Sequence, residues 1–191
     1  MTLVRMMKTT ALVLVGAAAG WTAPVYGFTR VAPEYLARAY EPTVVYDAAK
    51  SGGLLVTVLG GRDAKASGLD QRTVTAIENS RLGRATPLRL SGGAEQEKAT
   101  RLVVVFDPAI GAGYRDVCQG KRDSQSSSLD RVMLTLCLDG APVSSVTAIN
   151  PGATGPETPE FSAMLSQAAT TVFPVRSGDT RGQRFWNHRD R

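Results

Sequence analysis

Residues 132 to 149 constrain the fold more than any other part of the chain. They read VMLTLCL, then Asp139-Gly140, then APVSSVTAI: two strand-like runs separated by two residues. So short a loop joins only antiparallel neighbours, and Asp-Gly tolerates the positive φ angles of a type I′ turn, so a β-hairpin is predicted here. Pro142 carries no amide hydrogen, which predicts an edge position for the second arm.

Other runs supply the rest of a sheet. Residues 101–107, RLVVVFD, form an unbroken apolar run, and such a strand belongs in the middle of a sheet with both faces covered. Residues 54–59, LLVTVL, lie between Gly52-Gly53 and Gly60-Gly61 and have strand length, and a weaker strand is expected at 87–90. Pro33 at a first-turn position, followed by Tyr35, Leu36, Ala39 and Tyr40 on one stripe, predicts a short helix over 34–40. Ser67 and Asp70 have capping-box spacing for a helix running to Leu82 and stopping at Gly83. Thr158 and Pro159 open a last helix, in which Phe161, Met164, Leu165, Ala168 and Val172 recur at helical spacing up to Pro174. The expected fold class is α+β: one layered domain with a mostly antiparallel sheet of four to five strands, covered by two to three helices and tied by one disulfide.

The segments at either end are set apart by charge. Arg5 and Lys8 precede the apolar run 11–20, ALVLVGAAAG, and Val25 and Gly27 fit the small-residue pocket of a signal peptidase. This predicts a signal peptide over 1–27, a single α+β domain over 28–174 and a basic, disordered tail over 175–191. The run is shorter than the roughly 20 apolar residues a bilayer-spanning helix needs, so no transmembrane segment is expected after cleavage. Residues 28–173 hold fifteen basic and fifteen acidic side chains, so the formal net charge of +5 belongs to the two ends. A neutral body gives no reason to expect a nucleic-acid-binding face. The two cysteines, Cys118 and Cys137, then read as a disulfide in an exported chain, which predicts a periplasmic or secreted protein.

Several chemistries are excluded by residue count. His188 is the single histidine and lies in the polar tail, so a Ser-His-Asp or Cys-His arrangement lacks a held imidazole. Two cysteines without neighbouring histidines offer too few ligands for zinc. No nucleotide-binding glycine motif is present, and Gly111 and Gly113 lack its strand-to-helix setting. No catalytic, cofactor or metal residue is therefore assigned. Asp107, Asp116 and Asp139 are the carboxylates that could serve a small hydrolase if two of them converged, though each also suits a turn or a solvated surface. Arg181, Arg184, Phe185, Trp186, Arg189 and Arg191 form a mixed guanidinium and aromatic tail that could lie on an anionic surface.

The series RLVVVFDP, Cys118, LTLCLDG with Cys137, and a last helix closing on Phe173-Pro174 resembles a group of small exported bacterial proteins to which no activity is attached. The resemblance spans about residues 50–174. It implies an envelope location and carries over no functional residue. The combined expectation is a non-enzymatic envelope module that binds or supports an envelope protein or an anionic surface, with a carboxylate hydrolase and a tail-mediated membrane-surface binder as the alternatives.

Overall fold

The computed structural model describes residues 28–38, 40–50, 52–62, 67–80, 87–91, 100–109, 113–120 and 127–174. Residues 1–27, read as a signal peptide, and the tail 175–191, with Arg181, Arg184, Phe185, Trp186, Arg189 and Arg191, lie outside them, as do Leu82 and Gly83.

Among the described residues, six strands and four helices follow one another: β1 Arg30–Leu36, α1 Thr43–Lys50, β2 Leu54–Leu59, α2 Leu69–Glu78, β3 Leu88–Leu90, β4 Arg101–Phe106, α3 Tyr114–Cys118, β5 Arg131–Leu138, β6 Ala141–Ile149 and α4 Pro159–Val172. The strands join one mixed sheet in the order β1-β6-β5-β4-β2-β3. β1, β6, β5 and β4 pair antiparallel, whereas β4, β2 and β3 run parallel. The sheet is thus wider than the four to five strands expected, and two of its five pairings are parallel. The parallel part arises because α2 carries the chain from β2 back to the same end before β3 begins, which a hairpin cannot do.

The β5–β6 hairpin forms as predicted, with Asp139 at φ +50° and Gly140 at φ +75°. β4 lies inside the sheet with all six residues buried. β6, by contrast, is not an edge. It is flanked by β1 and β5, and Pro142 is accommodated because β1 pairs only as far as Leu36 opposite Ser144, leaving the proline paired with Cys137 of β5 and with no strand partner on the β1 side. The helix predicted over 34–40 does not form: residues 34–36 belong to strand β1, and residues 37, 38 and 40 lie outside any helix. Pro33 sits on the outermost strand, where a missing amide is cheap, and the register skips Glu34 between Pro33 and Tyr35. Pairing with β6 outweighs the local helical stripe. The helix forms instead at α1, whose β-branched Val44 and Val45 weaken the helical signal in sequence.

The capping box at Ser67 does not form. Gly68 is the N-cap of α2, at φ +74° and without a side-chain bond, and the helix ends at Glu78, with Asn79 as its C-cap. At α4 the expectation holds: the Phe161 amide donates to Thr158 Oγ1 at 3.3 Å, with Pro159 at the first helical position.

One face of the sheet carries α1, α2 and α4 over a core that includes Leu54, Val56, Leu102, Phe106, Leu134 and Leu136. The opposite face carries a smaller cluster of Val103, Val105 and Met133, covered by Val117 and by the Cys118–Cys137 disulfide. Tyr114 of α3 also stacks on Tyr35, ring centroids 4.5 Å apart. Among the described residues no helix is long and apolar enough to cross a membrane.

Tyr40 links the two ends of the domain, its hydroxyl donating to the Pro174 carbonyl at 3.2 Å. Burial, helped by nearby Tyr46, pushes its pKa up from 10 to about 12. The neutral phenol is favoured in the folded state, so its contribution is complete below pH 10 and is lost as pH rises from about 10 towards 12. Unfolding in urea at stepped alkaline pH should show falling stability over that window, and Tyr40→Phe should flatten the fall. An unchanged slope in the variant would assign the alkaline transition to other groups.

Candidate functional site

The three parallel strands begin together at one end of the sheet, where β5 finishes. Gly53 leads into β2 at φ +110°, and a Cβ there would stand 2.7 Å from the Pro87 carbonyl oxygen. Glycine is needed for this approach. It lets the Leu54 amide donate to Pro87 O at 2.9 Å, while the Gly53 amide donates to Ala48 O at 3.1 Å and ties the strand to the end of α1. The Arg89 side chain lies over the same two glycines, with Nη2 at 3.3 Å from where a Gly52 Cβ would be.

These segments bound a cavity of about 410 Å³ lined by Val44, Asp47, Ala48, Gly53, Leu55, Arg89, Thr100 and Leu138. Its volume lies in the range that small-molecule sites occupy. Val44, Ala48, Leu55 and Leu138 make an aliphatic wall, and the polar groups are a guanidinium, a hydroxyl and a carboxylate. Asp47 pairs with Lys50 at 3.6 Å. Among the described residues no hydrogen-bond or ion-pair partner is found for the Arg89 side chain.

A second arginine lies in the same row. The register sets Leu55 opposite Arg89 on one side and opposite Arg101 on the other. With neighbouring strands about 4.8 Å apart, the two arginine backbones stand about 10 Å apart across Leu55. Arg101 is 6% exposed. It donates from Nη2 to the Cys118 carbonyl at 2.7 Å, and its buried Nε has no partner. Among the described residues no carboxylate pairs with Arg101. The end of the sheet therefore holds two guanidinium charges not balanced by ion pairs, one open to the cavity and one buried beside it.

At the other end of the parallel strands, where open α/β sheets usually take ligands, Gly61 packs tightly on leucine. A Cβ there would meet Leu69 Cδ2 at 2.5 Å and Leu129 Cδ2 at 2.9 Å.

The three carboxylates singled out in the sequence do not all come together. Asp107 closes β4 at one end of the sheet, while Asp139 occupies the hairpin turn at the other. Asp107 takes φ +45°, its amide donates to Arg131 O at 2.8 Å, and its carboxylate faces Arg131 Nε at 3.9 Å. Its charged neighbour there is a base. Asp116 lies on α3 with Oδ2 turned back over Gly113. Cys118 and Cys137 are brought together as a disulfide. Among the described residues no group of three His, Cys, Asp or Glu side chains is placed to hold a metal.

No protein-family model, curated protein or solved structure matches this chain. The resemblance to small exported bacterial proteins therefore rests on the sequence stretches that suggested it.

Arg89 and Arg101 have no counterpart among the residues read from sequence. Arg89 stands in the weak three-residue strand, and Gly52-Gly53 reads there only as a strand boundary. The one available signal was Gly-Gly ahead of a strand, which can mark close approach of another segment as well as a turn.

Proposed function

We propose that this chain is exported to the periplasm or beyond and acts there as a binding module rather than as a catalyst, taking its ligand in the cavity between α1, β2 and β3. The observation that carries this reading is the uncommitted Arg89 guanidinium at an aliphatic-walled cavity. A guanidinium stays protonated under any physiological condition, so it suits holding an opposite charge and does not suit shuttling a proton. The export half of the reading draws on Arg5 and Lys8 before the apolar run 11–20 and on the disulfide, a bond that persists in oxidising compartments.

Thermal unfolding of residues 28–191 in the presence of organic anions, organic cations, neutral sugars and short peptides tests the binding half. At least one class should raise the midpoint of the wild type and leave Leu55→Trp, whose indole would fill the cavity, unmoved. A panel in which nothing shifts the wild type, or in which every shift survives in Leu55→Trp, would contradict the reading.

A further inference from the structure

We propose that the ligand of this cavity is an organic monocarboxylate, one carboxylate carried on a short aliphatic body. The inference rests on reading the cavity as a binding site and adds the chemical class. Three observations carry it.

The first is charge. Arg89 opens on the cavity without an ion-pair partner, and Arg101 adds a second cation not balanced by a carboxylate in the same row. Arg89 is exposed at the cavity and Arg101 is buried beside it, so the site carries a positive potential that favours an anion, most strongly at low salt. A guanidinium presents two parallel N–H donors that match a carboxylate fork. The second observation is Asp47, which lines the same cavity. Asp47 and its Lys50 partner are both exposed and screened, so Asp47 adds only a modest repulsion towards a second negative charge on the ligand. A monoanion fits better than a phosphate dianion. The third is the shape of the apolar lining. Val44, Ala48, Leu55 and Leu138 are all aliphatic and no aromatic ring is among the described lining residues, so they offer no ring face for the body to stack on.

Isothermal titration of residues 28–191 at low ionic strength, with hexanoate as the probe, tests this. Hexanoate should bind saturably. Acetate lacks the body, hexan-1-ol lacks the charge and inorganic phosphate lacks the body while carrying more charge; each should bind at least about tenfold more weakly. Arg89 is exposed, so Arg89→Met should keep the wild-type melting curve while weakening hexanoate by about tenfold or more, and Arg89→Lys should restore only part of the loss.

Phosphate or hexan-1-ol binding as tightly as hexanoate, or hexanoate binding untouched by Arg89→Met, would overturn the assignment. Two failures can be told apart. If a cation or neutral solute stabilises the wild type but not Leu55→Trp while hexanoate does not bind, the carboxylate assignment falls and the binding function stands. If no class binds, both fall.

Discussion

Phe161→Ala is expected to lower the free energy of unfolding by about 3–5 kcal/mol, the range for truncating a fully buried aromatic ring. Phe161 is completely buried in the first turn of α4, and its ring stacks on Phe106 of β4 with centroids 5.7 Å apart and planes 19° from parallel. The pair joins the helix to a central strand. Alanine would remove the ring and leave a space that Met164 and Leu165, also fully buried and held on the same helix, can fill only by moving it. Urea unfolding of the variant beside Ser162→Ala, an exposed neighbour expected to change stability by less than about 0.5 kcal/mol, provides the measurement. A loss below about 1 kcal/mol would mean that the helix does not depend on this contact.

Removing the disulfide is the second large effect. Cys118 and Cys137 are separated by 19 positions, and cross-linking a loop of that length stabilises a fold by about 3 kcal/mol on the chain-entropy account. Here the bond has a further task. α3 has only five residues, too few to stand alone as a helix, and it is held on the sheet by the disulfide, Val117 and the Tyr35–Tyr114 stack. It also supplies the Cys118 carbonyl to the buried Arg101 guanidinium. Losing that acceptor would leave a buried cation without its hydrogen bond, which adds to the entropic term. The double variant Cys118→Ser, Cys137→Ser should therefore lose about 3 kcal/mol or more against the oxidised protein in urea unfolding. A loss under about 1 kcal/mol would show that α3 stays docked without the bond.

What could be read from sequence follows the range of the forces involved. The β5–β6 hairpin was legible because its turn chemistry is local: Asp139 and Gly140 must both take positive φ, and they do. α4 was legible for the same reason, since Thr158, Pro159 and the apolar stripe behind them act within a few residues. β1 was not. Tyr35, Leu36 and Tyr40 make a helical stripe in isolation, and only the presence of β6, more than a hundred residues away, makes the strand better. Pro142 misled in the same way. Its missing amide points to an edge, but β1 stops pairing just short of it, so an interior strand can carry it. The cavity was illegible because it is a matter of register. No local pattern announces that Arg89, Leu55 and Arg101 share one row across three parallel strands.

Export into an oxidising compartment is the claim on which the envelope location depends and which the Cys118–Cys137 bond supports. Intact-mass analysis of the protein expressed with its full sequence in a bacterium, after separating the periplasmic and culture fractions from the cytosol and alkylating free thiols, tests it most directly. The account predicts a species outside the cytosol that begins at Phe28 and takes up no alkylating reagent until it is reduced. Recovery of the uncleaved chain from the cytosol, with both Cys118 and Cys137 alkylated without reduction, would contradict it.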